Sequence, residues 1–160
     1  MASFSIRSLE PEDTPVLREV FRRSSLSNVG DRETLLANPD ALELSDVGVG
    51  EERTRVATVA DGTVVGFATT AVTGSAIELA DLFVDPDWMR RGVGRQLVLD
   101  VLSVAREEGA NRVEVTANPH ALGFYEKLGF FFVGTTETRF GPAARMQADI
   151  AQPPEWMSRT

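Results

Sequence analysis

The segment from Val84 to Arg95, VDPDWMRRGVGR, has the clearest potential for chemistry. A strand-like run ends at Val84, a turn with a proline follows, and Gly92-Val93-Gly94 opens a helix-like run. Glycines let backbone N–H groups converge on one point, and a helix N-terminus adds positive potential, so the segment suits a pyrophosphate. Arg90 and Arg91 add charge. A lone Gly-x-Gly is more often an ordinary turn, and this segment lacks both the Walker A Lys-Ser/Thr and a third Rossmann glycine.

A second segment, from Asn118 to Phe130, reads NPHALGFYEKLGF. Its apolar residues recur at the spacing of one helical face, and Gly129 is well placed to end that helix. Alone, this pattern is typical of a packed amphipathic helix. The segment also contains the only histidine of the chain, His120, and its only tyrosine, Tyr125.

In combination the two segments resemble the GCN5-related N-acetyltransferase (GNAT) superfamily. The family's pyrophosphate loop, Gln/Arg-x-x-Gly-x-Gly/Ala after Val-x-Pro, resembles Met89–Gly94 after Val84-Asp85-Pro86. The family's later motif, Asn-x-x-Ala-x-x-x-Tyr-x-x-x-Gly-Phe, is similar to the run from Asn118 to Phe130. The resemblance covers residues 4–150. Met89 departs from the family's Gln or Arg. In the family this position acts largely through its main chain, so cofactor binding is expected to persist without an assumed side-chain contact there.

The resemblance implies acetyl-CoA as co-substrate and assigns the residues that hold it. The backbone of Leu82, Phe83 and Val84 would pair with the pantetheine arm, and an N–H near Leu82 would polarise the thioester carbonyl as an oxyanion hole does. Asn118 would hydrogen-bond the pantetheine region. The pyrophosphate would lie on the backbone amides of Arg90, Arg91, Gly92, Val93, Gly94 and Arg95.

The resemblance also implies two proton-transfer roles. Tyr125 occupies the family's general-acid position for the departing thiolate, although its hydroxyl could instead only position the sulfur. Glu78 matches the glutamate base of histone-type members and is the favoured base. Asp81, His120 and a chain of waters stay open as alternatives. Strand alternation places Glu78 and Asp81 on opposite faces, so only one of them would face the cleft unless a bulge intervenes.

The elements that must position these residues predict an α+β fold around one mixed sheet. The resemblance adds a splayed pair of parallel strands that form the acetyl-CoA cleft, within a domain over residues 1–152 followed by a tail over 153–160. Asp61-Gly62 predicts a hairpin turn, Asp13 an N-cap and Gly109 a helix end. Strands are predicted at 4–9, 54–60, 63–72, 76–84, 112–116, from 130 and at 145–150, and helices after Asp13 and at 31–44, 93–108 and 121–128.

The amino-acid composition restricts the classes of partner that we expect for this protein. A net charge of −8 is opposite to the basic field of most nucleic-acid binders, so no nucleic-acid partner is expected. The acidic surface is compatible with a cationic amine acceptor, although solubility is the simpler explanation. No cysteine is present, which excludes disulfides and thiolate metal sites and fits a cytoplasmic location. No signal peptide or membrane-length apolar run is found.

Two functions from different classes follow. The first is an N-acetyltransferase that moves an acetyl group from acetyl-CoA to the primary amine of a small molecule or peptide. The second is an acyl-CoA-binding sensor or interaction module that has the fold without turnover. Glu78 and Tyr125 favour the enzyme, and Met89 is the one feature against it. Relatives commonly dimerise through late strands, so the resemblance leaves a homodimer open.

Overall fold

The structure, a computed structural model, describes residues 4–26, 53–118, 121–138 and 141–150. The helix predicted at 31–44, His120 and the tail over 153–160 lie outside the described residues. No helix within these ranges is long and apolar enough to cross a membrane.

The described ranges contain seven strands in one sheet of order β1-β2-β3-β4-β5-β7-β6. The pairs β1–β2, β2–β3, β5–β7 and β6–β7 are antiparallel, and β4–β5 is parallel. The predicted α+β class with a mixed sheet is therefore confirmed. The elements are β1 (Ser5–Ser8), α1 (Thr14–Leu26), β2 (Thr54–Thr58), β3 (Val64–Thr73), β4 (Ala76–Val84), α2 (Val93–Glu107), β5 (Arg112–Ala117), α3 (Leu122–Lys127), β6 (Phe131–Thr138) and β7 (Gly141–Asp149).

The described residues divide into two compact units, one drawn from residues 1–70 and 80–100 and the other from residues 71–79 and 101–160. The strands β3 and β4 and the helix α2 have residues in both units. The parallel pairing joins Ala76–Leu79 to Arg112–Val115 within the second unit, while β4 continues to Val84 and β5 to Ala117.

The first unit is built around an apolar cluster between α1 and strands β2 and β3. Phe21 and Phe83 are partly buried and pack against the cluster, with their ring centroids 4.7 Å apart. Helical spacing explains why α1 contributes Leu17 and Val20, whereas Val16 remains 43% exposed. The buried members of the cluster are Leu9, Leu17, Val20, Val56, Val64 and Phe67.

Asp13 was predicted as the N-cap of α1, and the structure gives it a different role. A 3-10 turn over Pro11–Asp13 precedes the helix, and Asp13 accepts hydrogen bonds from the backbone N–H of Glu10 at 2.8 Å and from Arg7 at 2.7 and 3.0 Å. Its carboxylate therefore joins β1 to the turn and does not cap the amides of α1. The bidentate ion pair with Arg7 also lowers the pKa of Asp13.

The hairpin between β2 and β3 forms where Asp61-Gly62 predicted it. Gly62 has a left-handed backbone, with φ at +90°, and the Asp61 side chain accepts the backbone N–H of Thr63 at 2.9 Å. Both features are what a tight hairpin turn requires. The turn sets the antiparallel register that places Thr54 opposite Thr69.

In the second unit, every second residue along β5 and along the second half of β7 is buried. Val113 and Val115 on β5 and Met146 and Ala148 on β7 are buried. β7 begins at Gly141, four residues before the predicted start, because Gly141-Pro142-Ala143-Ala144 pairs with β6. The sequence pattern missed these four residues because they are poor in strand formers. β6 carries exposed Phe131, Phe132 and Val133.

Candidate active site

The turn that follows β4 is held in place from three directions. Its 3-10 residues, Pro86–Trp88, follow Asp85, whose Oδ1 accepts the backbone N–H of Asp87 at 2.9 Å. Arg23 on α1 donates to Asp85 Oδ2 at 2.7 Å and to Asp87 Oδ2 at 3.0 Å. The backbone N–H of Asp85 donates to Val65 O on β3 at 2.8 Å. The segment leading into the glycine loop therefore has a fixed path.

The loop from Arg90 to Gly92 presents a row of backbone amides without acceptors. Arg90 and Gly92 have left-handed backbones, with φ at +63° and +88°, and α2 begins at the next residue. Within the described part of the chain, the amides from Arg90 to Arg95 donate no hydrogen bond. The first that does is that of Gln96, to Gly92 O at 3.0 Å. Undonated amides at a helix start are the donors that a phosphate anion needs.

The arginines of the loop lie at the surface. Arg91 places its Cζ 5.0 Å from the ring centroid of Trp88, and Trp88 makes an edge contact with Phe4 at 6.3 Å. Arg90 and Arg95 are exposed, and neither has an ion-pair partner in the ranges that the structure describes. Two positive charges beside the free amides are thus available to an anion.

Gly66 brings β3, β4 and α2 close together in the first unit. A Cβ at this position would lie 3.0 Å from Phe83 O, 3.0 Å from Val93 Cγ1 and 3.2 Å from Leu97 Cδ1. The absence of a side chain therefore lets the start of α2 approach the strands. Sequence reasoning missed Gly66, although a glycine inside the run Val64–Phe67 is a signal of close backbone approach.

Asp81, on β4 in the first unit, is half-buried and has one partner. Thr69 on β3, which is fully buried, donates its hydroxyl to Asp81 Oδ2 at 2.5 Å. No Lys or Arg in the described part of the chain pairs with Asp81, and its Oδ1 is not hydrogen-bonded there. One carboxylate oxygen is therefore held while the other stays available.

Glu78, on β4 in the second unit, has a different environment. Arg145 on β7 donates Nη1 to Oε1 at 2.7 Å and Nη2 to Oε2 at 3.0 Å. Arg145 also donates to Thr116 Oγ1 at 2.7 Å and to Glu114 Oε2 at 3.4 Å. The hydrogen bond with Glu78 raises the pKa of Arg145. Both oxygens of Glu78 are thus engaged in a bidentate pair, the geometry in which carboxylates are held most firmly.

Tyr125, on α3 in the second unit, is buried among aromatic rings. Its ring centroid lies 5.0 Å from that of Phe124 and 5.3 Å from that of Phe130. Its backbone carbonyl accepts the N–H groups of Leu128 at 3.0 Å and Phe130 at 3.1 Å, while Gly129 turns the chain with φ at +95°. The hydroxyl has no hydrogen-bond partner among the described residues. Burial raises the pKa of Tyr125, so the hydroxyl keeps its proton at neutral pH.

The remaining predicted site residues fall into the same two groups. Asn118 is exposed after β5, and its carbonyl accepts the N–H of Ala121 at 3.0 Å, which starts the turn into α3. The first unit contains Asp81 and the run from Leu82 to Arg95, and the second contains Glu78, Asn118 and Tyr125. Met89 is 39% exposed.

Comparison with known proteins gives one family. The family model described as Acetyltransferase (GNAT) family matches residues 17–130. The peptidyl-lysine N-acetyltransferase YjaB of Salmonella typhimurium is 32% identical over 136 residues, which cover 83% of this chain and 87% of that protein. Streptothricin acetyltransferase of Streptomyces lavendulae is 40% identical over 91 residues, which cover 52% of this chain and 47% of that protein. The chain spans about a third to a half of the length of the curated relatives that it matches first.

Solved structures share the fold over nearly the whole chain. The crystal structure of the ribosomal-protein-S18-alanine N-acetyltransferase from Escherichia coli has a TM-score of 0.71 and 25% identity, and covers 96% of this chain and 97% of that one. The PaiA N-acetyltransferase from Thermoplasma acidophilum, crystallised with coenzyme A, has a TM-score of 0.72 and covers 92% and 99% of the two chains. At 21% identity, that second likeness concerns the fold alone.

Proposed function

Because the chain belongs to the acetyltransferase (GNAT) family, we propose that it transfers an acetyl group from acetyl-CoA to a primary amine. The observation that carries the proposal is the row of undonated amides from Arg90 to Arg95 at the start of α2. These amides suit the pyrophosphate of coenzyme A in number, location and charge, and the exposed side chains of Arg90 and Arg95 add attraction.

Acetyl-CoA supplies an activated thioester, and the chain supplies its orientation. In this proposal the amides of Arg90, Arg91, Gly92, Val93, Gly94 and Arg95 hold the pyrophosphate. The backbone of Leu82, Phe83 and Val84 aligns the pantetheine arm, with Asn118 as a further hydrogen-bond partner. An N–H near Leu82 stabilises the negative charge that develops on the carbonyl oxygen.

Tyr125 is proposed to serve the departing sulfur. Its hydroxyl is protonated and has no competing hydrogen bond in the described part of the chain. A thiol has a pKa of about 8.5 and an unperturbed tyrosine a pKa of about 10, so complete proton transfer from tyrosine to thiolate is uphill by at least about 2 kcal/mol. Because burial raises the pKa of Tyr125 further, a strong hydrogen bond to the developing thiolate is the role that its surroundings favour.

The base that takes the proton of the amine is a separate question. Glu78 was the favoured residue from the sequence, with Asp81, His120 and a chain of waters as alternatives. Both oxygens of Glu78 are bound by Arg145, whereas Asp81 leaves Oδ1 available. Glu78 stays a prediction, and His120 lies outside the described residues.

The acceptor class follows from the chemistry that the relatives' names share. One relative is named for peptidyl-lysine, one for streptothricin and one for an alanine of ribosomal protein bS18. The first and the last of these names specify amino groups. We therefore propose a primary amine on a small molecule or a peptide as the acceptor of this chain.

A thiol-release assay with acetyl-CoA tests the proposal. The panel comprises spermidine, lysine methyl ester, streptothricin and a peptide with an N-terminal alanine, and calorimetry measures acetyl-CoA affinity in parallel. We expect micromolar to millimolar binding and amine-dependent thiol release with at least one class. Tight binding without thiol release on the whole panel would favour the acyl-CoA sensor, and absence of binding would contradict the assignment of the amides.

A further inference from the structure

We propose that Asp81 binds the ammonium group of the acceptor and takes its proton, and that Thr69 is the residue that positions Asp81 for both tasks. This inference rests on the proposed acetyl transfer and adds to it the identity of the amine-binding carboxylate. It also narrows the acceptor to amines that are cationic in free solution.

The first argument is the location of these two residues on the sheet. Thr69 lies two residues from Phe67 on β3, and Asp81 lies two residues from Phe83 on β4, so each shares a face with its phenylalanine. The two phenylalanine rings are in contact, with centroids 5.6 Å apart. Thr69 and Asp81 therefore form a polar pair next to the apolar cluster, on the face of the strands that α1 covers in the first unit.

The second argument is the charge of Asp81. A half-buried carboxylate loses part of its hydration, and proteins usually compensate such a group with a charge or with several donors. Within the described ranges, Asp81 receives one hydroxyl and no cation. A substrate ammonium group would supply the missing charge and the missing donors.

The third argument is the contrast with the other carboxylate of β4. To bind an ammonium group, Glu78 would have to give up at least part of its bidentate pair with Arg145. Such pairs are strong because two parallel charged hydrogen bonds form together. Asp81 needs no such exchange, since Thr69 occupies Oδ2 and leaves Oδ1 directed elsewhere. Asp81 also precedes Leu82, whose N–H is the proposed donor to the thioester carbonyl.

The reaction step then balances as follows. The ammonium group gives up one proton, which passes by way of Oδ1 of Asp81 to solvent and frees the nitrogen lone pair; for an amine with a pKa of about 10 this deprotonation costs about 4 kcal/mol at neutral pH. That pair forms the nitrogen–carbon bond to the acetyl group, the carbon–sulfur bond breaks, and its electron pair leaves on sulfur. The sulfur takes up the second proton that the nitrogen loses. Asp81 releases the first proton to solvent, so one ammonium ion and one thioester give one amide, one thiol and one proton.

The test compares matched variants with two kinds of amine at one neutral pH. Spermidine and lysine methyl ester represent alkylammonium acceptors, and 4-methoxyaniline represents an amine that is already uncharged. We expect Asp81→Asn to lower kcat/KM for the alkylamines on the order of 10²-fold or more, with a higher KM and a lower kcat, because a charged pair is lost. The preference for alkylamines over 4-methoxyaniline should shrink by the same factor, while calorimetry finds acetyl-CoA affinity unchanged.

The positioning role of Thr69 has its own controls. Thr69→Val keeps the shape but loses a hydrogen bond to a charged group, which predicts a decrease in kcat/KM of about ten- to hundredfold. Thr69→Ser restores the hydroxyl and should recover most of the activity. Thr54→Val is the matched control, since Thr54 lies opposite Thr69, is equally buried, and has a hydroxyl without a partner in the described part of the chain.

Three results would overturn the inference, and each is distinct. If Asp81→Asn retains kcat/KM for the alkylamines while Glu78→Gln loses it, the base is Glu78. If Thr69→Val and Thr54→Val reduce activity equally, or Thr69→Ser fails to recover it, Thr69 has no positioning role. A wild-type protein that binds acetyl-CoA but releases no thiol with any amine refutes the proposed function, and this inference with it.

Discussion

Gly66→Ala tests the packing that places the start of α2 against the strands. The added Cβ would lie 3.0 Å from Phe83 O and 3.0 Å from Val93 Cγ1, against the 3.4 Å at which ordinary contact begins. One of these neighbours is backbone and the other is at the first residue of a helix, so neither can move alone. Because the φ of Gly66 is outside the left-handed region, the cost comes from the contacts rather than the backbone.

Overpacking of this kind costs about 1–3 kcal/mol. For a chain of this length, the corresponding decrease in melting temperature is about 2–4 °C per kcal/mol, or roughly 2–12 °C in all. The displaced groups, Phe83 and Val93, are both proposed contacts of acetyl-CoA. We therefore expect weaker acetyl-CoA binding as well, by up to about tenfold for each 1.4 kcal/mol that reaches the loop.

Thermal unfolding and calorimetry with acetyl-CoA measure the two effects. Gly123→Ala is the matched control, because Gly123 is exposed on α3 and its added Cβ would meet nothing within 4 Å. In a helix this substitution should stabilise the protein by about 0.5–1 kcal/mol. If Gly66→Ala melts at or above the wild-type temperature, as the control should, the close approach at Gly66 does not constrain α2 and the reasoning fails.

Two further predictions concern the proposed site. Gly94→Glu should abolish acetyl-CoA binding in a folded protein, because a carboxylate repels the pyrophosphate. Gly94→Gln, of equal size but neutral, should retain more affinity, and equal losses of affinity in calorimetry would contradict a charge effect. Tyr125→Phe should lower kcat by about ten- to hundredfold, the loss of one hydrogen bond to a charged group, with little change in acetyl-CoA affinity, and full activity would remove Tyr125 from the mechanism. Tyr125 should also make the wild-type protein lose stability in alkali, and Tyr125→Phe should abolish that loss. Because burial raises the pKa of Tyr125, the phenol proton just above pH about 10 is lost from the unfolded chain only. The free energy of unfolding of the wild type therefore falls as the pH rises further. Denaturant titrations on either side of that pH measure the difference, and an identical alkaline slope in both proteins would show that Tyr125 is not the cause.

Local signals predicted the elements that depend on local chemistry. Asp61-Gly62 predicted the hairpin, and the bounds of β4 followed from a β-type run that ends at Asp85-Pro86. Gly109, with φ at +79°, ends α2 as predicted. The start of β7 could not be predicted in this way, because Gly141-Pro142 is a strand only through its pairing with Thr138 and Glu137 on β6.

For the candidate site residues too, the local sequence pattern predicts some features and long-range pairing decides the others. Alternation along β4 correctly implies different surroundings for Glu78 and Asp81. It could not indicate the partners, because the one that binds Glu78 is 67 residues away and depends on the register of β5 with β7. The partner of Asp81 is 12 residues away, across the β3–β4 turn. The motif predicts Glu78 as the base, and the contacts of Asp81 support the proposed alternative.

Arg90 bears on how the loop proposed to bind the pyrophosphate is organised before a ligand arrives. It is the one non-glycine residue with a left-handed backbone in the part of the chain that the structure describes, a conformation that costs about 1–2 kcal/mol. Contacts fix the chain on both sides of it: Arg23 holds Asp85 and Asp87 upstream, and the Gln96–Gly92 hydrogen bond begins the helix downstream. Glycine would relieve the strain but would remove a cation from beside the free amides. In the proposed function, the strain at Arg90 keeps charge and preformed donors together, which would spare the ligand the entropy of ordering the loop.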